Sequence, residues 1–169
     1  QDERAQRDIQ RRIRAIRGVD AKAIERIHGG GMIRGSRITV AVDPQPFEGI
    51  GALFADGRLA DEHGNPIAVG ADAVTAMYRT GTQLYDGSPR TKHLVSNSVI
   101  ELNDAGASAV ARSSYVVFQQ TEDLPLQAII TGRYRDAFEC ADGTWRFSER
   151  RFTIDLLGDL SHHLRYDVR

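Results

Sequence analysis

The apolar spacing of this chain changes period once, after Ser88-Pro89, and that change limits the folds open to it. Upstream, apolar residues recur every three or four positions, as on the buried stripe of a helix. Downstream they alternate, as on a strand with one face turned to a core. The alternating part holds four runs: His93 to Leu102, Ala107 to Gln120, Leu126 to Cys140 and Thr144 to Leu157. Asn103-Asp104-Ala105-Gly106, a proline-containing loop from Gln119 to Pro125, and Asp142-Gly143 separate them, the last a strong hairpin signal. Helices followed by an antiparallel meander make an α+β domain. A four-stranded sheet with mixed faces needs its concave side covered, and the helical first half is the available cover. The expected architecture is a curved antiparallel sheet, a cone-shaped half-barrel closed by N-terminal helices, with a pocket between sheet and helices.

In the first half, Ile9, Ile13, Ile16, Ala23, Ile24 and Ile27 mark an amphipathic helix over Arg4 to Ile27, ended by Gly29-Gly30-Gly31. His28 and these glycines also have the form of an esterase oxyanion loop. No Gly-x-Ser-x-Gly elbow accompanies them, so they read as a linker. A short helix over Ile33 to Val42 must stop at Asp43-Pro44-Gln45-Pro46, because a residue before proline is pushed out of the helical region. Asp43 therefore sits at a helix end. Further helices are predicted over Phe47 to Phe54 and Ala71 to Leu84, with Asp61 to Pro66 as polar loop.

With 169 residues and 41 % apolar content, one domain with a single core is expected, divided into a basic arm (1–37), a cone core (38–157) and a tail (158–169). The net charge of −1 is unevenly spread. Residues 1–37 carry ten Lys/Arg against five Asp/Glu, a balance of +5, and residues 38–169 carry twelve against eighteen, a balance of −6. No aromatic residue is interleaved with the basic arm, so it reads as a helix face docking on an acidic body, and no nucleic-acid partner is expected. No run reaches the roughly 18 apolar residues of a membrane span, and the charged start does not resemble a signal peptide, so a cytoplasmic, membrane-free protein is expected. One cysteine, Cys140, allows neither an internal disulfide nor a cysteine-based zinc cluster, and His162-His163 lacks a third ligand; no metal is expected. The uncovered sheet face points to a homodimer or homotrimer. His93, a lone histidine at the head of the first extended run, is the residue expected in any chemical site.

Several motifs in order carry a family likeness. They are Phe47-Glu48-Gly49-Ile50-Gly51-Ala52-Leu53-Phe54-Ala55-Asp56, Gly70-Ala71-Asp72-Ala73-Val74, Lys92-His93-Leu94-Val95-Ser96-Asn97, Gly132-Arg133-Tyr134 and Asp142-Gly143-Thr144-Trp145-Arg146-Phe147. Over about residues 38–157 the chain resembles the SnoaL-like branch of the nuclear transport factor 2 superfamily. The resemblance implies a conical α+β fold and two functional classes. One is a cofactor-independent lyase or isomerase, dehydratase- or cyclase-like, acting on a small hydrophobic cyclic molecule. The other is a non-catalytic ligand-binding or assembly module like the β subunits of ring-hydroxylating dioxygenases. For the first class it implies a dyad of Asp43 and His93, with Arg150 placed to stabilise a departing anion or an enolate. Phe54, Tyr78, Asn97, Tyr115 and Tyr134 are then the expected substrate contacts. In such a dyad the carboxylate fixes the imidazole tautomer and raises its basicity, and the free nitrogen takes a proton from carbon.

Overall fold

The computed structural model describes residues 47–167. The arm, the linker, the helix over Ile33 to Val42 and Asp43 lie outside the described residues. The elements are α1 (Phe47–Ala52), β1 (Arg58–Ala60), β2 (Pro66–Val69), α2 (Gly70–Gly81), β3 (Thr91–Leu102), β4 (Ser108–Gln119), β5 (Gln127–Ala141) and β6 (Thr144–Leu157). The expected α+β class holds, as two short helices beside one sheet. Among the described residues that sheet has six strands, not four, in the order β2-β1-β6-β5-β4-β3. It is also mixed, because β1 runs parallel to β6 while the other neighbours are antiparallel. The two extra strands hold three and four residues, too few for a period of two to stand out from chance. Asp61 turns the chain between them. Its Oδ1 accepts hydrogen bonds from the backbone N–H of His63 at 2.9 Å and of Asn65 at 2.8 Å.

α2 stops three residues short of Leu84 because the chain is drawn into a different pairing. Thr82 forms a β-bridge with Leu164, and the Gln83 N–H donates to the His163 carbonyl at 2.8 Å. α1 lies on α2 through Gly51, where a Cβ would collide with the Thr75 hydroxyl and sit 2.5 Å from the Ala71 carbonyl oxygen. The Phe47 and Tyr78 rings stack above this contact, 6.3 Å apart.

β4 shows the cleanest alternation. Ala109, Ala111, Ser113, Tyr115, Val117 and Gln119 are buried, and the residues between them are half-buried or exposed. Directly paired residues share a face, so the register defines the inner wall: His93 beside Val117, Val95 beside Tyr115, Ser113 beside Tyr134, and Ala111 beside Asp136. Two bulges break the period. In β3 an extra residue falls between Ser96 and Val99, where Asn97 takes the left-handed conformation (φ 54°), and Ile100 and Leu102 replace Val99 on the inner wall. In β6 a shift opposite Ala137 and Phe138 leaves Phe147 and Arg150 on the inner wall, three residues apart. Asp142 (φ 52°) and Gly143 (φ 72°) form the expected tight hairpin.

The core has an aromatic end, where Phe147 packs on Phe54 at 4.8 Å and on Phe138 at 4.6 Å between ring centres. A second cluster holds Tyr115, Val117, Leu124, Ile129 and Leu160. Leu160 belongs to the segment expected to be a simple tail. Residues 158–167 are instead tied down, beginning with the Gly158 N–H on the Ile129 carbonyl at 2.8 Å. No helix among the described residues is long and apolar enough to cross a membrane.

Candidate functional site

His93 stands near the start of β3 on the inner wall, half-buried, with apolar Val95 and Val117 as nearest wall neighbours. Loss of water contact, reinforced by the nearby His163 and by the charge of Arg150, pushes its pKa down to about 4. At pH 7 the ring is neutral. Its Nδ1 is sealed from water and has no hydrogen-bond partner among the described residues. A buried imidazole nitrogen without a partner costs about 1–3 kcal/mol, so this atom is fitted for a partner that the described residues do not supply.

The wall beside His93 is a stack of rings. Tyr115 and Tyr134 lie nearly parallel with centres 4.3 Å apart, and the Arg150 guanidinium covers the other ring at 4.1 Å from the centre of Tyr134. Gly132 makes this possible, since a Cβ there would strike the Thr153 carbonyl and lie 2.8 Å from the Tyr115 ring. The Tyr115 hydroxyl donates to the Thr153 carbonyl at 3.4 Å, and burial pushes its pKa up to about 12. Burial likewise raises Tyr134 and Tyr78, with Arg150 pulling the other way in both. All three phenols remain protonated donors at neutral pH.

Arg150 itself is ion-paired. Its Nε and Nη2 donate to the two carboxylate oxygens of Asp136, each at 2.7 Å, and Asp136 has no exposure at all. Burial opposes the charge on Arg150, but the Asp136 carboxylate outweighs it and holds the guanidinium above its ordinary pKa. The pair supplies a fixed dipole on the inner wall of the sheet.

Of the residues expected at a site, His93, Tyr78, Tyr115, Tyr134 and Arg150 therefore come together. Tyr78 reaches the group from α2 and lies within electrostatic range of Arg150 and Tyr115. Phe54 is 2 % exposed and belongs to the aromatic core beneath. Asn97 is exposed, carried out of the wall by its bulge. Asp43 lies outside the described residues. Two members of the group were missed by the sequence reading. Asp136 sits in the alternation Tyr134, Asp136, Phe138, where a carboxylate among inward-facing aromatics demands a counter-charge. His163 left a weaker signal, two adjacent histidines in a stretch with no period. Among the described residues no three His, Cys, Asp or Glu side chains converge on a metal position. A separate open groove of about 1080 Å³ runs past Asp86, Lys92, Phe118 and Asp123 at the strand ends, and His93 does not line it.

Residues 35–151 match the family model described as a SnoaL-like domain. No curated protein matches the chain. Among solved structures, one similar fold is a substituted form of Rv3472, a Mycobacterium tuberculosis protein of unknown function, at 26 % identity and TM-score 0.54. That match covers 70 % of this chain and 65 % of the other, so this chain spans just under two thirds of that relative's length. A candidate scytalone dehydratase from Novosphingobium aromaticivorans is similar at 23 % identity and TM-score 0.59, covering 89 % of each chain. The β subunit of a candidate aromatic-ring-hydroxylating dioxygenase from the same organism is similar at 23 % identity and TM-score 0.55, covering 80 % of this chain and 89 % of that one. At these identities the last two likenesses concern the fold.

Proposed function

Because this chain belongs to the SnoaL-like domain family, we propose that it is a cofactor-independent lyase or isomerase acting on a small hydrophobic cyclic molecule, with His93 as general base. The observation that carries this reading is the half-buried, neutral His93, whose sealed Nδ1 has no partner among the described residues, on an aromatic wall. A pKa near 4 makes a lone imidazole a weak base. A carboxylate accepting the Nδ1–H would correct both faults, by removing the orphan and by stabilising the protonated ring. Asp43 is the proposed partner. Nε2 then removes a proton bound to carbon, and the electron pair left behind expels the leaving group or enters a neighbouring carbonyl. Tyr78 and Tyr134, protonated at neutral pH, donate to the oxygen that gains charge.

The test is the tautomer of His93, read from the nitrogen resonances of its ring. With Asp43 as partner the proton sits on Nδ1. Asp43→Asn should move it to Nε2 and lower turnover by roughly a hundredfold or more. A ring already carrying its proton on Nε2, and unmoved by Asp43→Asn, would remove the dyad from the mechanism. One observation favours the second reading, a non-catalytic module resembling a dioxygenase β subunit. The charge of Arg150 is already balanced by the buried Asp136 carboxylate, which takes two of its five N–H donors. That reading expects ligand binding without conversion.

The chain is also proposed to self-associate through the outer sheet face. Leu94, Val116, Thr131 and Leu156 form one row across four strands, and Leu94 and Leu156 are 56 % and 69 % exposed. An apolar row of this kind calls for cover. Sedimentation should give a multiple of 18.7 kDa, and Leu156→Lys should shift the mass downward. A monomer mass at every concentration counts against self-association.

A further inference from the structure

Two arginines hold one carboxylate on the outer face of the sheet, beside a second groove. The bulge in β6 sets this up. Ser148 is the extra residue, and beyond it Glu149 and Arg151 both fall on the outer face, away from Arg150. The parallel pairing of β1 with β6 then puts Arg58 directly opposite Glu149. Arg58 donates from Nε to Glu149 Oε2 at 2.8 Å and from Nη2 to the same oxygen, and Arg151 Nε donates to Oε1. The Glu149 side chain keeps 9 % of its exposure, against 43 % for Arg58 and 33 % for Arg151, so the acid is inside and the cations face water. Burial opposes the charge of Glu149, but hydrogen bonds from Arg151 and Arg58 outweigh it and hold the carboxyl below its ordinary pKa. A groove of about 500 Å³ opens here, lined by Gly57, Arg58, Ser148, Glu149 and Arg151 among others. Gly57 lies on the bulge, where a Cβ would come 2.3 Å from the Phe147 carbonyl oxygen.

The charges at this place do not balance. Arg135 on β5 stands directly opposite Arg151 on one side and Arg112 on the other, so three arginines form one row across the outer face. Like charges directly opposite each other repel. Arg112 has its own acid, Glu101, at 2.7 Å. Arg133, in the next row, has Asp155 at 2.8 Å and Glu62 within electrostatic range. Asp56, which also lines the groove, is held by Arg146 at 2.8 Å, and Glu139 stands two rows from Arg135, opposite Arg146. Arg135 is exposed and has no hydrogen bond or ion pair among the described residues. Arg58, Arg135 and Arg151 thus share the carboxylate of Glu149, and three cations against one anion leave a local surplus of two positive charges.

We propose that this cluster is an oxyanion site, taking a dianionic phosphate group between Arg58, Arg135 and Arg151. A guanidinium presents five N–H donors in a rigid fork that matches phosphate oxygens. Arg58 uses two of its nitrogens on Glu149 and Arg151 only one, so both keep N–H groups for a second acceptor. A phosphate monoester carries a charge of about −1.5 to −2 at neutral pH. That charge matches the surplus and relieves the repulsion along the arginine row. The site lies on the face of the sheet opposite His93 and does not depend on the role of that residue.

Titration calorimetry on the full chain at constant ionic strength tests this, with inorganic phosphate and glycerol 3-phosphate as probes and glycerol as the phosphate-free control. Both phosphates should bind and glycerol should not. Tighter binding of glycerol 3-phosphate would assign the site to a monoester and tighter binding of inorganic phosphate to the free ion, and either result supports the proposal. Arg135→Gln breaks no bond within the described fold, so it should leave the melting temperature unchanged. It should weaken phosphate binding about tenfold, the effect of losing one hydrogen bond to a charged group. Glu149→Gln keeps an acceptor for both arginines but removes the competing negative charge, and should tighten phosphate binding several-fold. A purely structural cluster would show neither change. No binding of either phosphate to the unsubstituted chain, an affinity untouched by Arg135→Gln, or weaker binding by a folded Glu149→Gln variant would overturn the proposal. Should Glu149→Gln fail to fold, the Arg135→Gln comparison decides alone.

Discussion

Replacing Asp136 by alanine should destabilise the fold by about 3–5 kcal/mol, the usual cost of removing one partner from a buried ion pair. Asp136 is fully buried, and the Arg150 side chain keeps only 17 % of its exposure. Without the carboxylate, a guanidinium packed on Tyr134 and Phe147 keeps its charge and loses its two 2.7 Å hydrogen bonds. Removing both charges together is a different experiment. Asp136→Leu with Arg150→Met leaves no uncompensated ion and should recover most of the loss. Denaturant unfolding of the two variants beside the unsubstituted chain measures both effects. A loss below about 1 kcal/mol for Asp136→Ala would mean that Arg150 swings into water, and that the pair does not hold the wall.

His93→Ala should lower turnover of a ligand found by thermal-shift screening roughly 10²- to 10⁴-fold while leaving the fold intact, since the residue is only half-buried. The same substitution has a consequence for stability that needs no substrate. The His93 pKa is about 4 in the folded chain against 6.5 for an unperturbed histidine. Between those values the unfolded chain binds a proton that the folded chain refuses, so stability present above pH 6.5 is lost as the pH falls toward 4. His93→Ala removes that contribution and should flatten the fall in melting temperature over this window. His163, whose pKa is also lowered by burial, retains part of it. An acid response identical to that of the unsubstituted chain would mean that His93 is not held neutral by burial. Unchanged turnover would end its role as a base.

Much of the scaffold was legible from the chain alone, because the four long strands are long enough for a period of two to show itself. β6 matches its expected bounds, and β3, β4 and β5 start or end within two residues of theirs. The Asp142-Gly143 turn is legible for a local reason, the positive φ that both residues adopt. β1 and β2 were not legible. They are held by pairing with β6 and with each other, and a three-residue strand carries no pattern of its own. The site was legible in part. His93, Tyr115, Tyr134 and Arg150 lie on one sheet face, while Asn97 is carried out of it by the bulge that it forms in β3. The same effect in β6 separates Arg146, which pairs with Asp56 at the surface, from Arg150 on the inner wall, although the two share a period-two phase in sequence.

By itself the amino-acid sequence determined the class of the fold, the four long strands and the histidine at their head, since hydrophobic period, turn chemistry and a lone polar residue in an alternating run are local properties. Only the tertiary structure decided which charges and rings share the inner wall. The Asp136–Arg150 pair depends on strand register, and the approach of His163 to His93 depends on a seventy-residue return of the chain held by Gln119 and Tyr85. Contacts between distant residues follow from how strands shift past one another and from what covers their faces, and no local spacing in the chain encodes either.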